Sequence, residues 1–156
     1  MLISVRAHKS FSGVLSEYFE AAAKFVKPEQ ISVAYFGMAG PVHDNKVNFV
    51  EEVGWEIVDA AKIEAEFSLR RVVFVNDMVA HAQAVLALPS TSFVNLSGAT
   101  PTKASVKLVL GLGTGIGVSF LTHRGPQAQE NDYEIHPSEA GSCEFSAHSA
   151  EEFAIH

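Results

Sequence analysis

The stretch VLGLGTGIGVSFL, residues 109–121, sets a glycine at every second position from Gly111 to Gly117, with Thr114 in the middle and apolar residues on either side. Two readings compete for such a run. Where Cβ atoms are missing, successive backbone N–H groups can close on an anionic group and the Thr114 hydroxyl can join them, so that Gly111, Gly113, Thr114, Gly115 and Gly117 would cradle phosphate. Alternatively, the run is a tight hairpin whose glycines supply positive φ. A dinucleotide fingerprint is excluded: its third glycine would fall on Ile116 or Val118, and the following VSFL reads as strand rather than helix. A Walker loop is excluded too, because no lysine occurs after Lys107. A second stretch, VFVNDMVAHAQAV, puts Asn76 and Asp77 at the carboxyl end of an apolar strand and the start of a helix. A carboxylate placed there can face a cleft and act as a general base. Asn and Asp are also the favoured N-caps, and the two roles are compatible.

The elements that must position these residues follow from periodicity. Phe11, Val14, Leu15, Tyr18, Phe19, Ala22 and Phe25 recur at three-and-four spacing, which predicts an amphipathic helix stopped before Pro28. ISVAYFGMAGP, residues 31–41, is a short apolar run ended by Gly37, Gly40 and Pro41, and it reads as a buried strand leaving into a tight turn. A hairpin follows around Asp44 and Asn45. A helix is expected over Asp59 to Leu69, a second buried strand over RRVVFV at 70–75, and a helix over 78–88 ended by Pro89. Strands alternating with helices predict an α/β layer architecture with a partly parallel sheet, whose ligands gather at the carboxyl ends of strands. The polar stretch 90–105 has no periodicity and marks a boundary between two lobes, 1–89 and 90–156.

Composition narrows the class of partner. The 156 residues are 47% hydrophobic with a net charge of −7, which describes globular protein and argues against nucleic-acid or anionic-membrane binding. Cys143 is the only cysteine and has no partner for an internal disulfide, and no apolar run approaches a membrane span, so the cytoplasm is the expected location. The seven histidines show no spacing that would gather several ligands on one metal. Trp55 reads as a core residue.

Taken in order, AYFGMAGPV, Trp55, VVFVNDMVAHAQAV, LGLGTGIGVSFL and HPSEAGSCEF resemble the bacterial-type glucokinases of the hexokinase and actin-like ATPase superfamily, from about Ile31 onward. The resemblance implies a two-lobed α/β fold of the actin-like ATPase (ribonuclease H-like) type, held here in part. It favours the phosphate reading of the glycine run, with ATP and Mg2+ as the implied cofactors. It makes Asp77 the base that takes the proton from a sugar 6-hydroxyl, and it makes Asn76 and Glu139 contacts to ring hydroxyls. Taken alone, Glu139 beside Pro137 and Gly141 reads equally as a loop carboxylate.

Departures accompany the resemblance. The family pattern expects histidine three residues after that glutamate, where this chain has Ser142, a shorter hydrogen-bonding group that leaves the sugar less defined. It expects asparagine where Glu52 stands. The family's first phosphate loop has no counterpart upstream of MLISVRAHKS, and its later sugar and adenosine segments would lie beyond His156, so the expectation is a middle piece truncated at both ends. The implied partner is glucose or a similar hexose, with no nucleic acid and no membrane, and a homodimer is left open. A non-catalytic sugar-binding or regulatory relative, or an inactive fragment, are the alternative readings.

Overall fold

The computed structural model describes residues 1–49, 54–100, 105–113, 115–129, 132–143 and 148–154. Thr114 and Glu52 lie outside the described residues. The chain divides into two compact units, Met1–Ala80 and His81–His156.

In the first unit, helix α1 (Phe11–Ala22) is opened by Ser10, whose hydroxyl accepts from the Gly13 N–H, one of the amides that no intrahelical carbonyl can satisfy. The apolar spacing predicts helix as far as Phe25, but Phe25 is 91% exposed. The N–H groups of Phe25 and Val26 both turn back on the Ala22 carbonyl, at 2.8 and 3.0 Å, so the chain tightens ahead of Pro28 while the spacing runs on. Strand β1 (Val33–Met38) pairs in parallel with β5 (Arg71–Asn76), in register from Val33 opposite Arg71 to Met38 opposite Asn76. The expected buried strand at 31–41 is therefore buried on one face only. Tyr35 is 66% exposed, while Ala34 and Phe36 pack on the core. An apolar run reads the same whether one or both faces are covered, and only the packing distinguishes them.

The hairpin forms where Asp and Asn predict it. Strands β2 (Val42–His43) and β3 (Lys46–Val47) are joined by Asp44 and Asn45 at φ 48° and 58°, the paired left-handed conformation that a two-residue hairpin turn requires. Strand β4 (Val58–Asp59) adds antiparallel to β3. Helix α2 (Ala60–Phe67) starts on the Asp59 side chain, which accepts from the Ala61 N–H at 3.0 Å. It ends at Ser68, at φ 54°. The core between these elements is aromatic at its centre: Phe11 meets Phe36 edge-on at 5.3 Å and Phe74 at 5.9 Å. Trp55 is buried, as its core reading requires, and its indole N–H donates to the His8 carbonyl at 3.0 Å.

Helix α3 (Asp77–Ala87) starts in the first unit and ends in the second. The division between units thus falls within α3, ahead of the polar stretch in which the sequence places a lobe boundary. The described part of that stretch, through residue 100, is exposed. The second unit is built on an antiparallel sheet of β6 (Lys107–Leu112), β7 (Ile116–His123) and β8 (Tyr133–Ser138), in that order. Ala82 and Leu86 of α3 pack on Leu121, Tyr133, Val109 and Ile135 of one face. On β6 the alternate residues Leu108, Leu110 and Leu112 are exposed.

Two outcomes are expected. Phe74→Ala, which removes a buried ring contacting two others, should cost about 3–5 kcal/mol, and Leu108→Ala on the exposed face less than about 0.5 kcal/mol, read by urea unfolding. The ion pair of Lys46 Nζ with Asp59 Oδ2 at 2.9 Å sets the pH dependence. The hydrogen bonds from Lys46 and the Ala61 N–H hold the Asp59 carboxyl below its ordinary value of 3.8, and Asp59 holds the Lys46 ammonium above its ordinary value of 10.5. The Asp59 contribution is present above 3.8 and is lost as pH falls through the lowered folded value. The Lys46 contribution is present below 10.5 and is lost as pH rises through the raised one. Asp59→Asn keeps an N-cap but not the charge, so the unfolding midpoints of parent and variant should differ at neutral pH and converge at both extremes.

Candidate functional site

Asn76 and Asp77 owe their position to strand β5, which among the described residues has a strand neighbour on one edge only. The Arg71 N–H donates to Ser32, just ahead of β1, so by alternation Val72 and Phe74 address the opposite edge. Side chains close that edge. Glu64 Oε1 accepts from the Val72 N–H at 2.8 Å, Asn45 Nδ2 donates to the Val72 carbonyl at 2.8 Å, and Asn45 Oδ1 accepts from the Phe74 N–H at 2.7 Å.

At the end of this strand Asn76 is engaged on both sides of its carboxamide. Oδ1 accepts from the N–H groups of Met78 and Val79 at 3.0 and 3.3 Å, capping α3, and Nδ2 donates to the Gly40 carbonyl at 3.2 Å. The sequence leaves the cap open between Asn and Asp; the geometry assigns most of it to Asn76. Asp77, half-buried at the first position of the helix, accepts from the Met78 N–H through Oδ1 at 2.8 Å. β1 passes close by: a Cβ on Gly37 would lie 3.5 Å from the Asp77 Cα.

The glycine run is a hairpin of β6 and β7. Gly111 stands directly opposite Gly117 and Leu112 opposite Ile116, and the Gly113 N–H donates to the Gly115 carbonyl at 2.9 Å. Neither Gly113 nor Gly115 has the left-handed φ that a tight-turn explanation needs, and a Cβ on either would meet nothing within 4 Å. Backbone strain and crowding within the described chain therefore do not account for glycine at the tip.

Glu139 follows β8, whose last residue, Ser138, is opposite Val118. Its carbonyl accepts from the Ser142 N–H at 2.9 Å, closing a short 3-10 turn over Ala140–Ser142. Both side chains are exposed. Gly141 in that turn lies against the start of β7 so closely that a Cβ would run into the Ile116 carbonyl oxygen. The second unit thus brings Glu139 and Ser142 beside the glycine hairpin. Gly141, Asn45 and Gly40 are the residues the sequence reading missed as parts of this framework. Asn45 signals a turn, and nothing in its neighbours signals the strand that its side chain grips. A separate cleft of about 320 Å³, lined by Lys9, Trp55, Lys62 and Glu66 among others, includes none of the candidate site residues Asn76, Asp77, Glu139 and Ser142 or the glycines of the hairpin.

The glycines separate by experiment. Gly141→Ala forces Ile116 to move and should destabilise the chain by about 1–3 kcal/mol, whereas Gly113→Ala and Gly115→Ala should leave thermal unfolding within about 0.5 kcal/mol of the parent.

The glucokinase family model matches residues 2–156. The chain is 30% identical over 129 residues to a glucokinase of Trichormus variabilis, aligned over 82% of this chain and 35% of that one. It is 27% identical over 143 residues to a glucokinase of Pectobacterium atrosepticum, aligned over 92% of this chain and 41% of the relative. It spans 35% and 41% of the length of these two relatives. Among solved structures, a glucokinase from an Antarctic psychrotroph superposes with a TM-score of 0.66 at 20% identity, over 97% of this chain and 44% of that one, which shows that the two share a fold. That fold is the α/β actin-like ATPase architecture, present here in part, and with the family model matched along nearly its whole length the chain belongs to the glucokinase family.

Proposed function

We propose that this chain carries the base and phosphate segments of a glucokinase, the enzyme that transfers the γ-phosphoryl group of ATP to the 6-hydroxyl of glucose. The observation that carries the reading is Asp77, held at the carboxyl end of a parallel strand while Asn76 does most of the capping, which leaves a carboxylate available for chemistry. Phosphoryl transfer asks mainly for positioning and for stabilisation of charge on the transferred oxygens. On this reading Asp77 accepts the proton of the attacking hydroxyl, and the backbone amides around Gly111, Gly113, Gly115 and Gly117, with the Thr114 hydroxyl, receive the ATP phosphates together with the magnesium they bring. The open space at Gly113 and Gly115 supports it. Glu139, Ser142 and Asn76 address the sugar ring hydroxyls, with Ser142 reaching less far than the histidine of the family pattern.

The two units correspond to part of the small lobe and the beginning of the large one, and the cytoplasm is the proposed place of action. Among the described residues no helix is long and apolar enough to cross a membrane. Sedimentation decides between monomer and homodimer.

The test is a coupled assay with glucose, ATP and magnesium. The chain alone, spanning well under half of its relatives, is expected to show no measurable turnover. A chimera in which it replaces the matched segment of the Pectobacterium glucokinase should turn over, and Asp77→Asn should then lower kcat at least ~10²-fold while KM for glucose stays within several-fold. Near-normal turnover of the variant reduces Asp77 to a helix-end residue. A chimera that binds glucose without turning over points instead to a non-catalytic relative.

A further inference from the structure

We propose that Asn45 is a positioning residue for the Asn76–Asp77 segment, a role that rests on the kinase reading of Asp77 for its consequence but not for its geometry. Asn45 meets two demands that few residue types meet together. Its backbone sits at φ 58°, a conformation open mainly to Gly, Asn and Asp. Its side chain must also present an acceptor and a donor at once, to the Phe74 N–H at 2.7 Å and to the Val72 carbonyl at 2.8 Å. Gly supplies the turn and neither bond. Asp supplies the turn and the acceptor, then sets a second oxygen against the Val72 carbonyl. Asn alone satisfies all three.

The arrangement reaches the candidate base through a closed frame. The tip of the β2–β3 hairpin holds β5 at Val72 and Phe74 through Asn45. The residue two before β2, Gly40, holds β5 at Asn76 by accepting from Nδ2 at 3.2 Å. The hairpin tip and the residue leading into the hairpin therefore grip β5 at Val72, Phe74 and Asn76. The backbone carbonyl of Asn45 also accepts from the Ala60 N–H at 3.2 Å, so the first turn of α2, the helix that supplies Glu64 to the same edge, is tied to the same residue. With Asn45 released, β5 keeps β1, Glu64 and the Asn76–Gly40 bond but loses the two Asn45 bonds at Val72 and Phe74. Asn76 then caps α3 from a strand free to twist, and the Asp77 carboxylate shifts with it.

The experiment uses the 156-residue chain labelled with 15N, at a temperature where every variant is folded. Asn45→Gly is expected to displace the amide resonances of Met78 and Val79, which report on the Asn76 cap. It should speed hydrogen exchange at the Phe74 amide on the order of 10-fold, with a smaller change at Val72, whose amide is held by Glu64. Asn45→Asp, which keeps the acceptor, should restore Phe74 protection. Ile63→Val in the same core, with a similar loss in Tm, should leave Met78 and Val79 where they are, which separates positioning from stability. Unmoved Met78 and Val79 resonances in Asn45→Gly, or equal movement in the Ile63→Val control, overturn the proposal. If Asn45→Gly does not fold, Asn45→Asp, which loses only the bond to the Val72 carbonyl, should displace the same two resonances by a smaller amount while Phe74 stays protected, and unmoved resonances then overturn the proposal. The readout needs no turnover, so failure of the kinase reading and failure of this one are distinct results. In an active chimera the same displacement should lower kcat more than it raises KM for glucose.

Discussion

Strand β5 lies at the edge of a two-stranded parallel sheet, and the side of it facing away from β1 is closed by the side chains of Asn45 and Glu64. An unpaired strand edge in a packed protein leaves backbone groups that must find partners, because burying them unpaired costs more than forming the bonds gains. Most folds meet that need with another strand. Here a carboxamide and a carboxylate stand in for one, and much of the first unit is arranged to deliver them: the left-handed turn that presents Asn45, the antiparallel β2–β3–β4 ribbon that carries the turn, and helix α2 that presents Glu64. The aromatic packing of Phe11, Phe36 and Phe74 holds the same strand from one face. Apolar contact alone is tolerant of small slides along a strand. Directed hydrogen bonds at fixed residues are not, and they set the level at which Asn76 and Asp77 emerge.

The second unit solves a different problem. The tip of its hairpin carries glycines that no atom of the described chain crowds, while the ladder behind it is regular and antiparallel. Rigidity comes from the far side: Leu121 and Tyr133 under Ala82 and Leu86 of α3, and the backbone of Ile116 against Gly141. Glycine thus has opposite purposes within one small sheet. At Gly141 its missing side chain admits a neighbour in the same chain. At Gly113 and Gly115 it leaves room that no atom of the described chain fills.

How much of this was legible in the sequence depended on the range of the interaction. Helices α1, α2 and α3, the parallel pairing implied by alternating elements, the hairpin at Asp44 and Asn45 and the strand after the glycine run all follow from spacing and turn chemistry within a dozen residues. The end of α1 did not, because the apolar period continues past the residue where the backbone tightens. The single buried face of β1 did not either, because an apolar run carries no record of which side is covered. The division between units at Ala80 lies inside a helix, where composition does not change.

The site divides along the same line. By itself the sequence determined which groups are available for chemistry: an Asn-Asp pair where a strand becomes a helix, a glycine run without lysine, and a glutamate in a loop before the only cysteine, since these depend on residue type and on local backbone preference. Tertiary structure decided what each group is free to do. It engaged the Asn76 carboxamide at both ends, left the Asp77 carboxylate with a single backbone donor among the described residues, removed positive φ as the explanation of Gly113 and Gly115, and set Gly141 against Ile116. It also assigned Asn45, a turn residue by every local rule, to a strand 27 positions away. Hydrogen bonds between distant segments are chosen by the geometry of the folded backbone, and the order of residues along the chain does not encode that geometry locally.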